Sequence, residues 1–268
     1  MIKGPSFFLM NKAHRRRQEV ALNEGLCLSC SEVSVKIIPF TEIIDMEDQT
    51  VLECRNLGFA YENNKDLFSE VNLKVPAGAF VQIQGASGTG KSTFLRLLNR
   101  LALPTKGSIL FKGKDLQELE APELRTRIVY LQQTPTLVQG SVRHNLLLPF
   151  RFAQNKKRQG PNNQELRMGL KRFMLDEISL EQTALDLSVG QRQRLCLLRA
   201  ILLSPGVLLL DEPTSALDRD SRQAVVDVVN KLRREDNITM FLVAHTEFSI
   251  ESEKVIYCTL HNGKMEVQ

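Results

Sequence analysis

The chain has 268 residues, and 43% of them are apolar, enough for one large domain or two small ones with a substantial core. Its 35 Lys and Arg against 31 Asp and Glu give a formal charge of +4, too small an excess to favour nucleic acid as a partner. No stretch approaches the length of a membrane-spanning apolar run, and the five scattered cysteines favour a reducing compartment over a disulfide framework.

Residues 1–45 differ from the rest of the chain. They show no sustained hydrophobic period, and residues 14–17 (His-Arg-Arg-Arg) are basic. An Arg run can contact anionic lipid or RNA, but a solvated, flexible tail is the simpler interpretation. The single CxxC at residues 27–30 has no second pair at zinc-site spacing, which disfavours a metal site. We predict a disordered extension over residues 1–45 and a folded domain over 46–268, with Met46 as an alternative natural start.

The first predicted elements lead into a glycine-rich loop. Residues 51–61 and 71–75 alternate apolar and polar side chains in the manner of antiparallel strands. An apolar strand at 80–84 then leads into Gly-Ala-Ser-Gly-Thr-Gly-Lys-Ser at 85–92, and a helix-forming run follows at 93–98. A G-x-x-x-x-G-K-[ST] loop between a strand and a helix is the context of a phosphate-binding loop.

The chemistry of this loop predicts a bound nucleoside triphosphate. Successive backbone N–H groups and the helix N-terminus face phosphate oxygens in such loops. Lys91 is placed to reach the β- and γ-phosphates, and the Ser92 hydroxyl to reach Mg²⁺. The alternative is a chance match in a glycine-containing turn, which the strand–loop–helix context disfavours.

The middle of the chain reads as strands followed by helices. Short strands are predicted at residues 107–111 and 127–131. Residues 141–187 are helical in pattern, with a polar, basic Gly-Pro linker at 155–163. We predict a separate helical lobe over about residues 134–203, inserted into the domain.

Two further motifs follow this lobe. Residues 187–194 (Leu-Ser-Val-Gly-Gln-Arg-Gln-Arg) precede an amphipathic helix, and Ser188 fits its N-cap. A serine hydroxyl at a helix N-terminus suits a γ-phosphate, although by themselves these residues are merely a capped helix. The apolar strand at 207–210 ends in two carboxylates: Asp211, where Mg²⁺ is usually held in such ATPases, and Glu212, which can polarise an attacking water.

The last third of the chain alternates strands and helices. A helix at 219–234, a strand at 238–243 and another helix are followed by a hairpin over 255–267 that turns at residues 262–263 (Asn-Gly). His245 follows the strand, and by itself it is more often a core histidine than a site residue. The alternation predicts an α/β fold with a mainly parallel sheet flanked by helices.

From about Glu53 to its end, the chain resembles the nucleotide-binding subunits of ATP-binding-cassette (ABC) transporters. The family's motifs occur in order: Walker A at 85–92, the Q-loop residue Gln133, the signature at 187–191, Walker B and its carboxylate at 211–212, the D-loop at 215–218 and the switch residue His245. The resemblance implies a P-loop NTPase of the ABC type, an α/β fold with a mixed sheet core, an antiparallel β subdomain and a separate helical lobe.

The resemblance also implies ATP and Mg²⁺ as cofactors and ATP hydrolysis as the activity. The residues implied in catalysis are Glu212, His245, Lys91 and Gln133, and those implied at the metal are Ser92, Gln133 and Asp211. The residues implied at the nucleotide are Tyr61 (the aromatic that stacks on adenine), Gly85, Ala86, Ser87, Gly88, Thr89, Gly90, Lys91, Ser92, Thr93, Ser188, Gly190, Gln191 and Asp218.

Family members work in pairs and with other chains, which gives expectations about partners. The resemblance implies a homodimer with ATP sandwiched between two copies. It also implies a separate membrane permease as partner. The chain would then be a peripheral protein on the cytoplasmic face of the inner or plasma membrane. Through residues 133–137 and 148–150 the chain looks most like small bacterial ATPases of the iron-export (Fet) type. The alternative is a soluble ABC ATPase outside transport, for example in cofactor assembly; identifying the partner discriminates between them.

The chain departs from the family at Val189, where Gly is usual. A β-branched residue tolerates positive φ poorly. We therefore expect an ordinary backbone angle at this position, with the valine side chain turned away from the nucleotide.

Overall fold

The computed structural model describes residues 50–61, 66–244 and 255–268. The strands there are β1 Thr50–Ala60, β2 Asp66–Pro76, β3 Phe80–Gln84, β4 Lys106–Phe111, β5 Lys114–Asp115, β6 Ile128–Leu131, β7 Val207–Asp211, β8 Thr239–Val243, β9 Val255–His261 and β10 Lys264–Val267. The α-helices are α1 Lys91–Leu98, α2 Ala121–Arg127, α3 Val142–Leu147, α4 Asn163–Arg172, α5 Val189–Ile201 and α6 Arg219–Asp236. Short 3-10 helices cover Leu116–Glu118, Leu148–Arg151, Ala153–Asn155 and Ala184–Asp186.

A central sheet of six strands positions the functional motifs. Its order is β10-β9-β3-β8-β7-β6, and all neighbouring pairs from β9 to β6 are parallel, while β10 runs antiparallel to β9. Every residue of β7 and β8 is buried, as expected for parallel strands covered on both faces. The carboxyl ends of β3, β7 and β6 therefore share one edge, where residues 85–92, 211–212 and 132–133 follow them.

The two faces of this sheet pack against different layers. Because side chains alternate along a strand, Val207 and Leu209 join one core while Leu208 and Leu210 join the other. The first core also contains α1 and the antiparallel strands, and the second contains the apolar faces of α3, α4, α5 and α6. The predicted α/β class with a mainly parallel sheet is confirmed.

A second sheet of order β2-β1-β4-β5 is antiparallel, as predicted. β2 begins at Asp66 rather than at the predicted Val71, because Phe68 is fully buried and pairs with Phe59 of β1. The C-terminal hairpin also forms as predicted. Residues 262–263 of its turn both have positive φ, 47° for the Asn and 74° for the Gly, which matches the type I′ geometry favoured by Asn-Gly.

The middle of the chain is less continuously helical than predicted. Pro149 and the pair at residues 160–161 (Gly-Pro) interrupt the pattern, so short 3-10 helices separate α3 from α4. α4 begins where the predicted linker ends, and Asn162 caps it in a reciprocal pair with Glu165. Apolar residues between 137 and 150 mostly pack into the second core.

Three predictions fall outside the described residues. They are the extension over residues 1–45, the helix after β8 and the position of His245. The boundaries at residue 46 and at about 134–203 stay predictions.

Candidate active site

The loop after β3 has the backbone that phosphate binding requires. Gly85 and Gly90 have positive φ, 150° and 104°. A Cβ at Gly85 would lie 2.4 Å from the backbone oxygen of Leu260, and one at Gly90 would lie 2.7 Å from the Leu67 side chain. Glycine is therefore needed at both positions, since the loop folds tightly against β9 and β2.

The ammonium group of Lys91 points into this loop. Lys91 is only 5% exposed, and its Nζ donates to the backbone oxygens of Gly85 at 2.8 Å and Ala86 at 2.9 Å. A buried ammonium needs such acceptors, because burying it unpaired costs roughly several kcal/mol of folding free energy. The charge is thus held inside the loop, where phosphate oxygens would compete with the two carbonyls for its protons.

Ser92 and Asp211 meet across the edge of the sheet. The Ser92 hydroxyl donates to Oδ1 of Asp211 at 2.9 Å, and Asp211 is only 4% exposed. The hydroxyl of Tyr130 donates to the other oxygen, Oδ2, at 2.7 Å. The pKa of Tyr130 is raised to about 12, mainly by burial and next by the hydrogen bond to Asp211. The phenol therefore stays protonated and remains a donor.

These oxygens fit the predicted magnesium ion. Mg²⁺ prefers hard oxygen ligands and is usually held by one or two protein groups together with phosphate oxygens and waters. The neighbouring hydroxyl of Ser92 and carboxylate of Asp211 supply that type of donor. Within residues 50–61, 66–244 and 255–268, no cluster of three or more His, Cys, Asp or Glu could hold a metal by itself. The Ser92 and Asp211 oxygens thus fit the part of a Mg²⁺ coordination shell that protein groups usually supply.

The structure brings Glu212 together with Gln133. Nε2 of Gln133 donates to Oε2 of Glu212 and to Oγ of Ser215, each at 3.0 Å. Glu212 has a φ of 46°, and its backbone N–H donates to the oxygen of Val243 at 3.0 Å. A non-glycine residue in the left-handed region is uncommon and is often found at functional sites. The tertiary structure holds the Glu212 backbone in this conformation.

The signature residues cap α5. Oγ of Ser188 accepts from the N–H of Gln191 at 3.2 Å, and Oε1 of Gln191 accepts from the N–H of Ser188 at 2.9 Å, a capping box. Val189 is the first residue of the helix and is not among the residues with positive φ, so the expected ordinary backbone angle is confirmed. Its side chain is 45% exposed, and its direction relative to a nucleotide stays a prediction.

The D-loop residue Asp218 caps α6 beside the signature. Its Oδ1 accepts from the N–H groups of Asp220 at 3.0 Å and Ser221 at 2.9 Å. Hydrogen bonding from Ser221 is the main reason that the pKa of Asp218 is lowered, which keeps the carboxylate charged. A Cβ at Gly190 would lie 2.6 Å from Oγ of Ser221, so the first turns of α5 and α6 touch at this glycine.

Tyr61 lies at the end of β1 with an accessible ring. It is 53% exposed, and its ring packs edge-on against Phe59 at 5.3 Å between centroids. Its hydroxyl lies 3.4 Å from the hydroxyl of Thr93, two residues after the loop lysine. The ring is therefore tied to the start of α1 and keeps apolar surface available for a planar base.

The structure divides the predicted site residues into two groups. Those at the sheet edge, from the phosphate loop to Gln133, Asp211 and Glu212, lie together. In the part of the chain that the structure describes, no hydrogen bond joins Ser188, Gly190 or Gln191 to the phosphate loop of the same chain. His245 lies outside the described residues.

Sequence reasoning missed two contacts at the site. Tyr130 was placed on a predicted strand, and Ser215 in the D-loop, but neither was given a role. The signal at Tyr130 is a hydroxyl one residue before the carboxyl end of an edge strand, beside the strand that carries Asp211. This signal becomes specific only when the pairing of β6 with β7 is known.

Among the described residues, no helix is both long and apolar enough to cross a membrane.

Comparison with known proteins identifies the family. The family model described as "ABC transporter" matches residues 68–215. "Probable iron export ATP-binding protein FetA" of Escherichia coli (strain K12) is 36% identical over 221 residues, which cover 82% of this chain and 96% of the relative. "ABC transporter I family member 17" of Arabidopsis thaliana is 36% identical over 204 residues, 76% of each chain.

A solved structure has the same fold. CbiO1 from Clostridium perfringens, described as part of the ABC transporter complex CbiONQ, superposes with a TM-score of 0.70 at 23% identity, covering 82% of this chain and 88% of that chain. The architecture is therefore a P-loop NTPase of the ABC type, as predicted. Together with the family match and the relatives' coverage, this places the chain in the ABC transporter family as an ATP-binding subunit that hydrolyses ATP.

Proposed function

We propose that this chain powers a separate membrane permease by hydrolysing Mg²⁺-bound ATP between two copies of itself. The observation that carries the proposal is the meeting of Lys91, Ser92, Gln133, Asp211 and Glu212 at one edge of the central sheet. This edge combines a buried cation, oxygen donors for a metal and a carboxylate. Transfer of a phosphoryl group to water needs these three parts.

The phosphate loop binds the triphosphate and offsets its charge. Lys91 exchanges its two carbonyl partners for phosphate oxygens, and the N-terminus of α1 adds the positive end of its dipole. Ser92 and Asp211 would hold Mg²⁺, with Gln133 beside them directly or through water. When bound, the metal neutralises charge that develops on the phosphate oxygens. These contacts would fix the terminal phosphate in place and offset its charge.

Glu212 orients the attacking water. Gln133 donates to the Glu212 carboxylate, and the backbone N–H of Glu212 donates to the oxygen of Val243 in β8. A carboxylate held in this way can accept a proton from water as the oxygen attacks phosphorus. His245 completes this set as the residue that bridges the γ-phosphate and the neighbourhood of Glu212.

A second copy completes each site. Ser188, Gly190 and Gln191 lie at the start of α5, where Ser188 is exposed, Gln191 is half-buried and Gly190 is buried. Ser188 and Gln191 bond to each other and not to the phosphate loop of their own chain. We assign them to the γ-phosphate held by the other copy, with Asp218 at the interface between the two. Tyr61 stacks on the adenine ring, and its exposed face supports this role.

We further propose that the permease exports a metal ion, with iron as the first ion to test. The support is the 36% identity to the relative named as a probable iron export ATP-binding protein, 96% of which is covered. The chain would then lie on the cytoplasmic face of the membrane. Purification of tagged protein from its native membrane, followed by mass spectrometry, should recover a multi-span membrane protein; recovery of only soluble partners would favour the cofactor-assembly alternative.

Replacing Glu212 tests the catalytic proposal. Glu212→Gln keeps the shape and removes the charge, so hydrolysis should fall by at least about a hundredfold while ATP binding persists. Size-exclusion chromatography with light scattering should then show a stable dimer only when ATP and Mg²⁺ are present. Glu118→Gln, at an exposed glutamate away from the site, is the matched control and should behave as wild type. Near-normal turnover of Glu212→Gln would refute the assigned role.

A further inference from the structure

Both oxygens of the Asp211 carboxylate have a fixed donor before any ligand binds. Ser92 of α1 donates to Oδ1, and Tyr130 of β6 donates to Oδ2. The carboxylate is almost fully buried, at the end of a strand in which every residue is buried. Rotation of this carboxylate would break two hydrogen bonds in a place that water cannot readily reach.

Strand register explains why Tyr130 reaches Asp211. Tyr130 pairs with Leu209, and paired residues of neighbouring strands point to the same face of a sheet. Asp211 follows Leu209 by two residues, so it points to that face as well. This is the face covered by α1, since Leu209 belongs to the core that contains the apolar side of α1.

The hydroxyl of Tyr130 has a second partner on α1. The guanidinium group of Arg96 lies beside the Tyr130 hydroxyl, and its interaction with that hydroxyl is the main reason that the pKa of Arg96 is raised. Ser92 and Arg96 are four residues apart and therefore lie on the same face of the helix. The four side chains make a continuous chain from Ser92 through Asp211 and Tyr130 back to Arg96, which joins α1 to both β7 and β6.

We propose that Tyr130 is a positioning residue for the metal site, which fixes the Asp211 carboxylate so that Oδ1 stays directed at Ser92. The inference rests on the proposed function, because it assumes that Ser92 and Asp211 hold Mg²⁺. In this proposal Tyr130 acts through Asp211, to which it donates, rather than on the metal or the nucleotide. Its contribution is preorganisation: the oxygen donors need not be reoriented when Mg²⁺ arrives with ATP.

The test compares Tyr130→Phe with wild type, using Mn²⁺ as the probe. Mn²⁺ binding to the protein–ATP complex is followed by electron paramagnetic resonance, and ATP binding without metal by a fluorescent ATP analogue in EDTA. Loss of the hydroxyl should weaken Mn²⁺ binding by about tenfold. Affinity for the nucleotide in EDTA should change less than about twofold, since Tyr130 does not contact it.

Tyr257→Phe is the matched control. Tyr257 is 43% exposed on β9, away from the site, so the same loss of a hydroxyl should leave both affinities at wild-type values. Circular dichroism and thermal unfolding establish that each variant is folded. If Tyr130→Phe does not fold, Arg96→Met is the variant to test. It leaves the Tyr130 hydroxyl in place but removes its neighbour on α1. Mn²⁺ binding should then weaken by about threefold.

The outcomes separate the inference from the function on which it rests. The positioning role is overturned if a folded Tyr130→Phe protein binds Mn²⁺ as tightly as wild type. If Tyr130→Phe does not fold, it is overturned when Arg96→Met binds Mn²⁺ as tightly as wild type. Parallel losses with and without metal also overturn it, because they indicate a general structural role. Failure of the wild-type protein itself to bind Mn²⁺ with ATP would instead contradict the proposed function.

Discussion

Single residues at this site carry out their roles through constraints imposed by their neighbours. The charge of Lys91 is buried and held by two backbone carbonyls, and the backbone of Glu212 is held at a positive φ by a hydrogen bond to β8. Tyr61 differs, because it is more than half exposed and is held only by the edge contact with Phe59 and the contact of its hydroxyl with Thr93, among the residues that the structure describes. Substitution there should affect binding of the base and little else.

Tyr61→Ala tests this expectation. Loss of one stacking contact, worth about 0.5–1.5 kcal/mol, should raise the KM for ATP by about two- to tenfold. The kcat should be unchanged, because the proposed contact of Tyr61 is with the base and not with the phosphate that reacts. Tyr61→Phe keeps the ring and serves as the control, with a KM near that of wild type. Steady-state ATPase assays measure both constants, and an unchanged KM for the alanine variant would contradict adenine stacking.

At the scale of elements, the contact between α5 and α6 links two motifs within one chain. The signature caps α5, the D-loop caps α6, and the helices touch where Gly190 meets Ser221. In the proposed dimer, the signature acts on the nucleotide of the other copy, while the D-loop follows Glu212 of its own site. A shift of one helix would therefore displace the other.

Gly190→Ala tests this packing without any nucleotide. The added Cβ would lie 2.6 Å from Oγ and 2.7 Å from Cβ of Ser221, so the helices must separate. Overpacking of this kind costs about 1–3 kcal/mol, partly offset by the better helix propensity of alanine, about 1 kcal/mol. Urea unfolding should show a net loss of stability, and Ser221→Gly should recover part of it in the double variant. A Gly190→Ala protein as stable as wild type would contradict tight packing at this position.

At the scale of the whole molecule, the proposed dimer places the two half-sites of one chain at two different ATP sites, both shared with the same partner copy. The phosphate loop and the carboxylates lie at the edge of the central sheet, whereas the signature lies at the start of α5 and bonds only within its own region. According to this proposal, one chain alone does not complete a site. Activity should depend on the pairing of chains, which mixing two inactive variants can test.

Lys91→Ala and Ser188→Arg should each be inactive as homodimers, since each loses the same half of both sites. In a mixed dimer, the intact Lys91 of one copy faces the intact Ser188 of the other, which restores one site. Equal mixing gives mixed pairs in half of the dimers, so activity should return to about a quarter of the wild-type value if sites act independently. Wild-type turnover per chain that stays constant on dilution to the monomer would contradict the sandwich.

The order of motifs along the chain was enough to predict the family and the fold class, and it also supplies the proposed residues of the site. Local chemistry explains this: residues 85–92 form the loop through their own glycines, Ser188 caps the helix that follows it, and residues 262–263 form their own turn. Each of these depends on neighbours within a few positions. The apolar strand before Asp211 likewise predicts that this carboxylate lies at the edge of a buried sheet.

What only the tertiary structure decided is how distant residues meet. The Asp211–Tyr130 hydrogen bond depends on the pairing of β6 with β7, and the Gly190–Ser221 contact depends on how two helices pack; neither leaves a pattern in either segment alone. The positive φ of Glu212 is set in the same way, by β8, since a glutamate has no intrinsic preference for that conformation. The sequence thus determined which chemical groups are present, and packing between strands and helices determined their orientation.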